Sequence, residues 1–347
     1  MVTKQVRDAP ATLESVAALA GVSRATAGRV LSGATNVSEG ARTSVLDAAR
    51  QLSYVTNQAA RSLVTRRSGS VAFVVAEAED RAFGDPFFPG LLRGAHAEVS
   101  AAGKPGVRDG DRRAGPPALE RFAAGGHVDA AVFVSLHGDD PLPRTLRDAG
   151  VPVVLSGRPY RAGTRFPFVD ADNEGGAALA AHELVDRGSR RPATVTGPAD
   201  MIAGEDRLAG FRRGLQERGV ALPPSRVVAG DFTIQSGYAA TERLLRQRYR
   251  PDGVFAANDQ MAVGAMQALR EHGVSVPGEV RVVGFDDAPL AAATHPGLTT
   301  VRQPVEQARP RDGAGWCSSL AADPAAARGR RVPSRVLPTE LVRRGTT

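Results

Sequence analysis

The chain has 347 residues, 42% hydrophobic and 23% charged, a composition typical of globular proteins and unlike collagen, coiled coils or mucins. Its 44 lysines and arginines outnumber its 37 aspartates and glutamates, which gives a formal net charge of +7 at pH 7. No apolar run approaches the ~20 residues that span a bilayer, and the N-terminus lacks the apolar core of a secretion signal, so we expect a cytoplasmic protein without membrane contact.

The positive charge is concentrated at the N-terminus. Residues 1–67 hold nine basic and four acidic residues, a net charge of +5, and segment 308–335 adds a further +4. The rest of the chain carries a net charge of −2. Because contacts with DNA phosphates need lysines and arginines gathered on one module, a small basic head before a nearly neutral body indicates nucleic-acid binding by the head.

The basic head is predicted to contain three short helices. Thr12 can cap a first helix that ends at Gly21, and Ser23 can cap a second helix over 24–32. Ser38 can cap a third helix, whose apolar stripe closes a small core: Val45, Ala48, Ala49 and Leu52. The first two helices form a helix-turn-helix pattern.

The second helix is the candidate recognition helix. In the major groove, Arg29 can bond a guanine edge and Arg24 a base or a phosphate. A generic helical domain with merely solvated arginines fits the pattern as well, so the motif alone leaves both interpretations open. Directly after the head, segment 54–63 is a short amphipathic stretch capped by Asn57, and such a piece is too short to be a stable helix alone.

Several motifs of the head, in order and spacing, resemble the lactose-repressor (LacI/GalR) family. They are TLESVAALAGVSRAT at 12–26, RVLSG at 29–33, Val37-Ser38, and the spaced run Tyr54, Asn57, Ala60, Arg61 and Leu63. The resemblance implies a hinge helix that folds on operator DNA, with Leu63 as a wedge between base pairs. By motif position it implies these DNA contacts: Thr12, Ser23, Arg24, Ala25, Thr26, Arg29, Asn57, Ala60, Arg61 and Leu63.

One pair of residues departs from the family pattern. The family usually has Val-Ser where this chain has Ala27-Gly28. Glycine inside a helix costs ~1 kcal/mol relative to alanine, and the missing hydroxyl removes a phosphate donor. We therefore expect weaker DNA affinity than is usual in the family.

From Ser70 onward, β-branched apolar runs alternate with helical patterns, which predicts a doubly wound α/β body with parallel sheets. Strands are predicted at 71–76, 130–135, 151–155, 192–196, 253–257 and 280–285. Helices are predicted at 88–102, 173–187, 205–218, 236–248 and 259–272.

Ligands of doubly wound folds bind at the carboxyl ends of the strands, and several polar or aromatic residues follow the predicted strands. Arginine, carboxylate and aromatic groups together suit a polyhydroxylated or heterocyclic ligand. Asp259 and Asp287 fit equally well as helix-cap or turn residues. The body motifs also resemble the LacI/GalR family, whose effector domain is similar to periplasmic sugar-binding proteins. By motif position the resemblance implies effector contacts from Phe87, Arg207, Phe232, Asn258 and Asp286.

Two segments break the pattern. Residues 104–118, where a second strand is expected, contain no strand-length apolar run, so nothing there can be a central strand. Residues 308–335 replace an amphipathic helix that lines the subunit interface in the family. We interpret both segments either as reading-frame artefacts or as flexible surface insertions. If they are genuine, we expect an incomplete first half of the sheet and doubtful dimer packing.

We therefore expect a three-helix head plus hinge helix, followed by a two-lobed, periplasmic-binding-protein-like α/β domain. The predicted domains are 10–56 for the head, 57–67 for the hinge helix and linker, and 68–347 for effector binding and dimerisation. Within the last, we assign 68–167 plus 299–335 to an N-lobe and 168–298 plus 336–347 to a C-lobe.

The predicted function is a ligand-responsive repressor that binds a palindromic operator as a homodimer and is controlled by a small molecule, a sugar by preference. A solute-binding protein without DNA-regulatory activity shares the body but needs a secretion signal and no basic head. A regulator impaired by the two anomalous segments is the other alternative. An enzyme is disfavoured because the chain lacks G-x-S-x-G, P-loop and metal-ligand motifs. With one cysteine and six scattered histidines, we expect neither a metal nor a cofactor.

Overall fold

The computed structural model describes residues 11–34, 36–55, 68, 70–101, 106–109, 121–161, 163–248, 250–304 and 334–347. The chain divides into two compact units, Met1–Ser68 and Gly69–Thr347, here called the head and the body. Among the described residues, none of the helices is both long and apolar enough to span a bilayer.

The head contains the three predicted helices: α1 at Leu13–Ala20, α2 at Arg24–Leu31 and α3 at Glu39–Gln51. The side chains of Thr12, Ser23 and Ser38 accept hydrogen bonds from backbone N–H groups in the first turns of these helices. Gly21 has the left-handed conformation, with a φ of 66°, that ends α1. Three predicted caps and the predicted stop are thereby confirmed.

The core of the head is made of small and β-branched side chains. Its buried members come from all three helices: Val16, Ala17, Ala27, Val30, Val45, Ala48 and Ala49. Leu31 and Leu52 are half-buried against this cluster. Asn57, Ala60, Arg61 and Leu63, and with them the predicted hinge helix, lie outside the described residues.

The described part of the body contains twelve strands and eight further α-helices. The strands are β1 Ser70–Val75, β2 Gly106–Asp109, β3 Ala130–Val134, β4 Val153–Ser156, β5 Phe168–Ala171, β6 Pro192–Thr196, β7 Val227–Ala229, β8 Gly253–Ala256, β9 Arg281–Asp286, β10 Thr299–Arg302, β11 Arg335–Leu337 and β12 Glu340–Val342. The helices are α4 Glu79–Gly84, α5 Phe87–Ala101, α6 Leu142–Asp148, α7 Asn173–Asp186, α8 Ile202–Glu217, α9 Ile234–Leu245, α10 Asp259–Glu271 and α11 Pro289–Ala293. All six predicted strands and all five predicted helices of the body are present, with ends shifted by at most three residues.

The strands form two six-stranded sheets, each the centre of one lobe. The N-lobe sheet has the order β11-β5-β4-β3-β1-β2, with all neighbours parallel. The C-lobe sheet has the order β12-β10-β9-β8-β6-β7, and only its β10–β12 pair is antiparallel. Buried apolar clusters lie on both faces of each sheet.

The strand pairing corrects the predicted division into lobes. β5, placed in the C-lobe by the sequence analysis, pairs with β4 and belongs to the N-lobe. β10 pairs with β9 in the C-lobe, although residues 299–335 were assigned to the N-lobe. β11 also pairs in the N-lobe sheet, so 336–337 lie there rather than in the C-lobe. The chain thus passes between lobes after β5, between β10 and β11, and again after β11.

The expectation of an incomplete N-lobe sheet is also wrong. β2 lies at the edge of that sheet and pairs in parallel with β1, within the segment that lacks an apolar run. An edge strand needs only one hydrogen-bonded neighbour and tolerates polar residues, which is why apolar patterning missed it. Residues 110–118 and 308–333 lie outside the described residues, so the interpretation of those parts stays a prediction.

Two motif glycines let paired helices approach closely in the C-lobe. A Cβ at Gly210 on α8 would lie 2.1 Å from the carbonyl oxygen of Glu174 on α7. A Cβ at Gly264 on α10 would lie 2.0 Å from the carbonyl oxygen of Ile234 on α9. Both distances are far below van der Waals contact, so only glycine fits at these crossings.

Candidate functional site

A cleft lies between the two lobes, at the carboxyl ends of their strands. It encloses about 820 Å³ of space, its open mouth included. All five residues predicted from motif position to contact an effector line this cleft: Phe87, Arg207, Phe232, Asn258 and Asp286. The structure therefore brings the predicted set together in one place.

Arg207 is the central cation of the cleft and is only 5% exposed. It lies in the second turn of α8, because that helix begins at Ile202, three residues before the predicted start. Its Nε donates to Oδ1 of Asn173 at 2.9 Å, and Nη1 donates to the carbonyl oxygen of Ala257 at 2.6 Å. Nη1 also lies 3.3 Å from Oδ1 of Asp286. Burial lowers the pKa of Arg207, and the carboxylate of Asp286 opposes that shift most strongly.

Aromatic rings lie close to the Arg207 guanidinium. Its central carbon lies 3.8 Å from the ring centroid of Phe285 and 5.7 Å from that of Phe232. Such cation–π contacts favour a charged, oriented side chain in a buried site. Phe87, the first residue of α5, meets Phe88 edge to face on the N-lobe side of the cleft.

Three residues that line the cleft hold left-handed backbone conformations unusual for side chains larger than glycine. The φ angles are 60° at Ser135, 70° at Phe232 and 112° at Asp286. Each such conformation costs on the order of 1–3 kcal/mol and is typical of binding and active sites. The strain thus coincides with the residues that face the cleft.

Neighbouring polar residues at the end of β8 have different roles. Asn258 caps α10, since its Oδ1 accepts from the Met261 N–H at 2.9 Å, while its Nδ2 donates to the carbonyl oxygen of Phe232 at 2.9 Å. The suggestion that Asp259 is the cap is therefore wrong. Asp259 is buried and accepts from the backbone N–H of Ala288 and from the hydroxyl of Thr300. Burial raises its pKa well above the ordinary range.

The two adjacent carboxylates at the end of β9, Asp286 and Asp287, also have different roles. Asp286 lines the cleft, and Oδ1 accepts from Gln303 Nε2 at 2.6 Å. Asp287 accepts from Arg302 Nε and from Arg344 Nη2, both at 2.6 Å, and so ties β9 to its neighbours in the C-lobe. Asp287 is thus a structural residue.

Sequence reasoning missed several charged residues of the cleft. Asp170 is the last residue but one of β5, a strand that was not predicted, and accepts from Asn173 Nδ2 at 3.0 Å. Arg158 lies beyond β4, with Nε 3.4 Å from Asp170 and a close ion pair to Asp206. Arg81 on α4 pairs with Glu77 at 2.7 Å. If β5 had been predicted, Asp170 would have been a candidate site residue, because ligands of this fold bind at the carboxyl ends of the strands. Nothing in the local sequence pattern marks Arg81 or Arg158.

Burial raises the pKa of four carboxyl groups in and around the cleft. The pKa is about 6 for Asp286 and for Asp206, although nearby Arg207 and Arg158 respectively oppose the shift. The pKa values of Asp85 and Asp170 are also raised by burial. The ionised form of each of these carboxyl groups is poorly solvated because the group is buried. A ligand hydroxyl that donates a hydrogen bond to the carboxylate is therefore favoured.

Polar contacts join the lobes around the cleft. His137, beyond β3, contacts Asp200 of the C-lobe through Nδ1 at 2.9 Å and Glu77 through Nε2 at 3.2 Å. The Gly138 N–H donates to the Asp200 carbonyl oxygen at 2.7 Å. On α8, Asp206 pairs with Arg158 and Glu205 accepts from Tyr160. The described lobes therefore meet across the cleft through side chains of both.

The head presents a second candidate surface. Of the ten predicted DNA contacts, six lie within the described residues: Thr12, Ser23, Arg24, Ala25, Thr26 and Arg29. Arg24 and Arg29 are exposed, and Arg24 pairs with Glu14 at 2.7 Å. Arg29 makes no ion pair with any described residue. It is therefore available to an external partner.

The arrangement is suited to binding a polar ligand. Within the described ranges, no group of three or more His, Cys, Asp or Glu side chains could hold a metal ion. The cleft combines carboxylates, guanidinium groups and aromatic rings, which orient a polar ligand through hydrogen bonds and ring contacts.

Comparisons with known proteins match both units. The family model "Bacterial regulatory proteins, lacI family" matches residues 12–57, and "Periplasmic binding protein-like domain" matches residues 181–347. The HTH-type transcriptional regulator CelR of Thermobifida fusca is 43% identical over 304 residues, which cover 85% of this chain and 87% of CelR. The ribose operon repressor of Escherichia coli strain K12 is 32% identical over 302 residues, which cover 86% and 89% respectively.

Solved structures give the same result. A transcriptional regulator CelR–cellobiose complex superposes with a TM-score of 0.73 at 40% identity, covering 97% of this chain and 100% of that one. The lac repressor dimer bound to operator and the anti-inducer ONPF gives a TM-score of 0.80 at 25% identity, covering 97% and 99%. These likenesses extend over the head as well as the body.

Proposed function

The chain belongs to the LacI family of DNA-binding transcriptional regulators, and on this basis we propose that an uncharged sugar in the interlobe cleft controls its binding, as a homodimer, to a palindromic operator. As a transcriptional regulator it is not an enzyme. The presence of the matched head separates it from a solute-binding protein. A regulator of this kind meets its operator in the cytoplasm.

The observation that carries the ligand proposal is the charge pairing in the cleft. Three arginines among the described residues line the cleft, and each is already paired: Arg207 with Asp286, Arg158 with Asp170 and Asp206, and Arg81 with Glu77. Within the described lining, no cation is thus left for an anionic ligand, while carboxylate oxygens and the rings of Phe87 and Phe232 remain. Hydroxyl groups donate to carboxylates and apolar sugar faces pack on aromatic rings, so an uncharged sugar fits best.

The relatives narrow the choice of sugar and oligomer. The CelR structure is a complex with cellobiose, and the lac repressor structure is a dimer on operator. We take cellobiose as the first probe and expect each head of the homodimer to contact half of the operator. The sugar and the operator are then coupled, because the sugar favours one relative orientation of the lobes. The sugar either releases the operator or is required for operator binding. DNA-binding measurements with and without the sugar distinguish these two outcomes.

Titration calorimetry of the purified full chain with cellobiose and with glucose 6-phosphate tests the ligand class. We expect heat from cellobiose and none from the phosphate ester. The isosteric variant Asp286→Asn should lose most of the cellobiose affinity. Arg213→Leu, which removes an exposed arginine from the same helix α8, should bind as the original chain does. Tighter binding of the phosphate ester than of cellobiose would overturn the proposal.

A further inference from the structure

The helix-turn-helix of the head carries an acidic residue that is not among the predicted DNA contacts. Glu14 is the second residue of α1, and its Oε1 lies 2.7 Å from Nε of Arg24, the first residue of α2. Among the described residues, Glu14 is the one ion-pair partner of Arg24. An exposed carboxylate beside the recognition helix repels DNA phosphates, so by itself it lowers the affinity for any duplex.

We propose that Glu14 is a positioning residue for sequence recognition, which holds the Arg24 guanidinium in the orientation that reads one guanine in each half of the operator. The inference rests on the proposed function, since it presumes a palindromic operator. It assigns Arg24 to a base rather than to a phosphate, and it gives Glu14 a role in specificity.

The backbone that carries Arg24 is fixed from two sides. The Ser23 side chain accepts from the Thr26 N–H at 3.2 Å and so caps α2 directly before Arg24. Buried side chains of α1 and α2, among them Val16 and Ala27, pack in one cluster and set the distance between the two helices. Arg24 therefore begins the recognition helix at a defined place. In helix-turn-helix proteins, the N-terminal residues of that helix are the ones that contact base edges.

The ion pair orients the side chain of Arg24 as well. Its closest contact uses Nε of Arg24, so the two terminal nitrogens of the guanidinium remain for a bidentate contact with O6 and N7 of guanine. An unrestrained arginine loses much rotamer freedom when it binds a base, whereas a side chain already held by Glu14 loses less. Glu14 thereby favours an oriented contact with a base over diffuse attraction to phosphates.

Exposure separates this role from a role in folding. The side chains of Arg24 and Glu14 are 71% and 59% exposed, and an ion pair so open to water contributes little to the stability of the head. In the major groove, water around the pair is displaced, and the same two charges attract each other more strongly. The pair therefore gains its strength in the complex with DNA.

The test measures base preference at every operator position, by competition binding of the purified full chain to single-base variants of an operator selected from a random duplex library. Arg24→Ala should reduce the preference for guanine at one position of each half-site by about tenfold or more. Glu14→Gln keeps the shape of the side chain and removes its charge. It should reduce the preference at the same position by about threefold or more and raise the affinity for a duplex without the operator.

A control variant and a double variant separate positioning from a general effect on the head. The matched control is Asp47→Asn, which removes the acid of another exposed ion pair of the head, with Arg50 on α3, and should leave every base preference unchanged. Glu14→Gln in the Arg24→Ala background should have no further effect at the guanine position, because the guanidinium that Glu14 holds is gone. A purely structural role of Glu14 would not produce this nonadditivity.

Each outcome decides between the two proposals. Full preference for guanine in Glu14→Gln, or a loss spread evenly over all positions, would overturn the role of Glu14 while operator recognition stands. An Arg24→Ala variant that loses affinity equally for all sequences would also overturn it, since Arg24 would then contact a phosphate. If the original chain prefers no sequence over another, the proposed recognition of an operator fails, and the role of Glu14 fails with it.

Discussion

The raised pKa of Asp286 predicts that sugar affinity increases with pH. Burial holds this pKa at about 6, above the ordinary aspartate value of about 3.9. Its contacts with Arg207 and Gln303 both use Oδ1, so Oδ2 is available to accept a sugar hydroxyl. Binding through this hydrogen bond favours the ionised carboxylate. The free protein is about one-tenth ionised at pH 5 and about nine-tenths ionised at pH 7.

Cellobiose affinity should therefore rise about tenfold from pH 5 to pH 7, which is ~1.4 kcal/mol. Stability without sugar should move in the opposite direction. The pKa of Asp286 is higher in the folded protein than in the unfolded chain, so its contribution to the free energy of unfolding is fully present below about pH 4. This contribution is at most about 3 kcal/mol and is lost as the pH rises through 6. Calorimetric titrations at half-unit pH steps, with denaturant unfolding in the same buffers, measure both quantities.

Asp206 also has a pKa of about 6, so the titrations are best made in the Asp206→Asn background. In that background, Asp286→Asn should remove the remaining pH dependence and most of the affinity. An affinity that stays constant or falls between pH 5 and pH 7 would show that the sugar does not bind through the ionised carboxylate of Asp286. A slope that survives Asp286→Asn would assign the titration to another group.

Three further predictions concern the stability of α2, DNA recognition by Arg29 and helix packing in the C-lobe. Gly28→Ala should stabilise the head by ~1 kcal/mol in thermal unfolding, because alanine favours the helix α2 and the new Cβ lies at an ordinary contact distance of 3.7 Å from its nearest neighbour. Gly21→Ala should destabilise the head instead, because Gly21 has a φ of 66°. Arg29→Ala should remove ~1–3 kcal/mol of preference for the selected operator in competition binding and retain nonspecific affinity, whereas Arg50→Ala on α3 should retain the preference. Gly264→Ala should destabilise the body by ~1–3 kcal/mol, since its Cβ would clash with a carbonyl oxygen of α9, and an unchanged melting temperature would contradict the close-approach argument.

Local patterns were sufficient to predict the head. Its caps at Thr12, Ser23 and Ser38 and the stop at Gly21 are short-range features, and the sequence displays them directly. The longer strands of the body were equally visible, because central parallel strands are continuous apolar runs. Six strands were missed, since each has only three or four residues and lacks a strand-length apolar run: β2, β5, β7, β10, β11 and β12.

The site was predicted only where a motif marks it. Phe87, Arg207, Phe232, Asn258 and Asp286 were found by motif position and meet in one cleft. Asp170, Arg158 and Asp206 were not, because their significance depends on which strands end together and which lobes face each other. The lobe boundaries failed for the same reason, as strand pairing between distant segments is not a local property.

We expect this chain to recognise a specific DNA sequence under the control of a sugar. The most direct test is selection of binding sites from a random duplex library by the purified full chain at moderate salt, with and without cellobiose. We predict enrichment of a palindrome with a flexible central step, and a clear change in its recovery when cellobiose is present. Soluble protein that enriches no sequence in either condition would contradict the claim and favour a regulator impaired by its two anomalous segments.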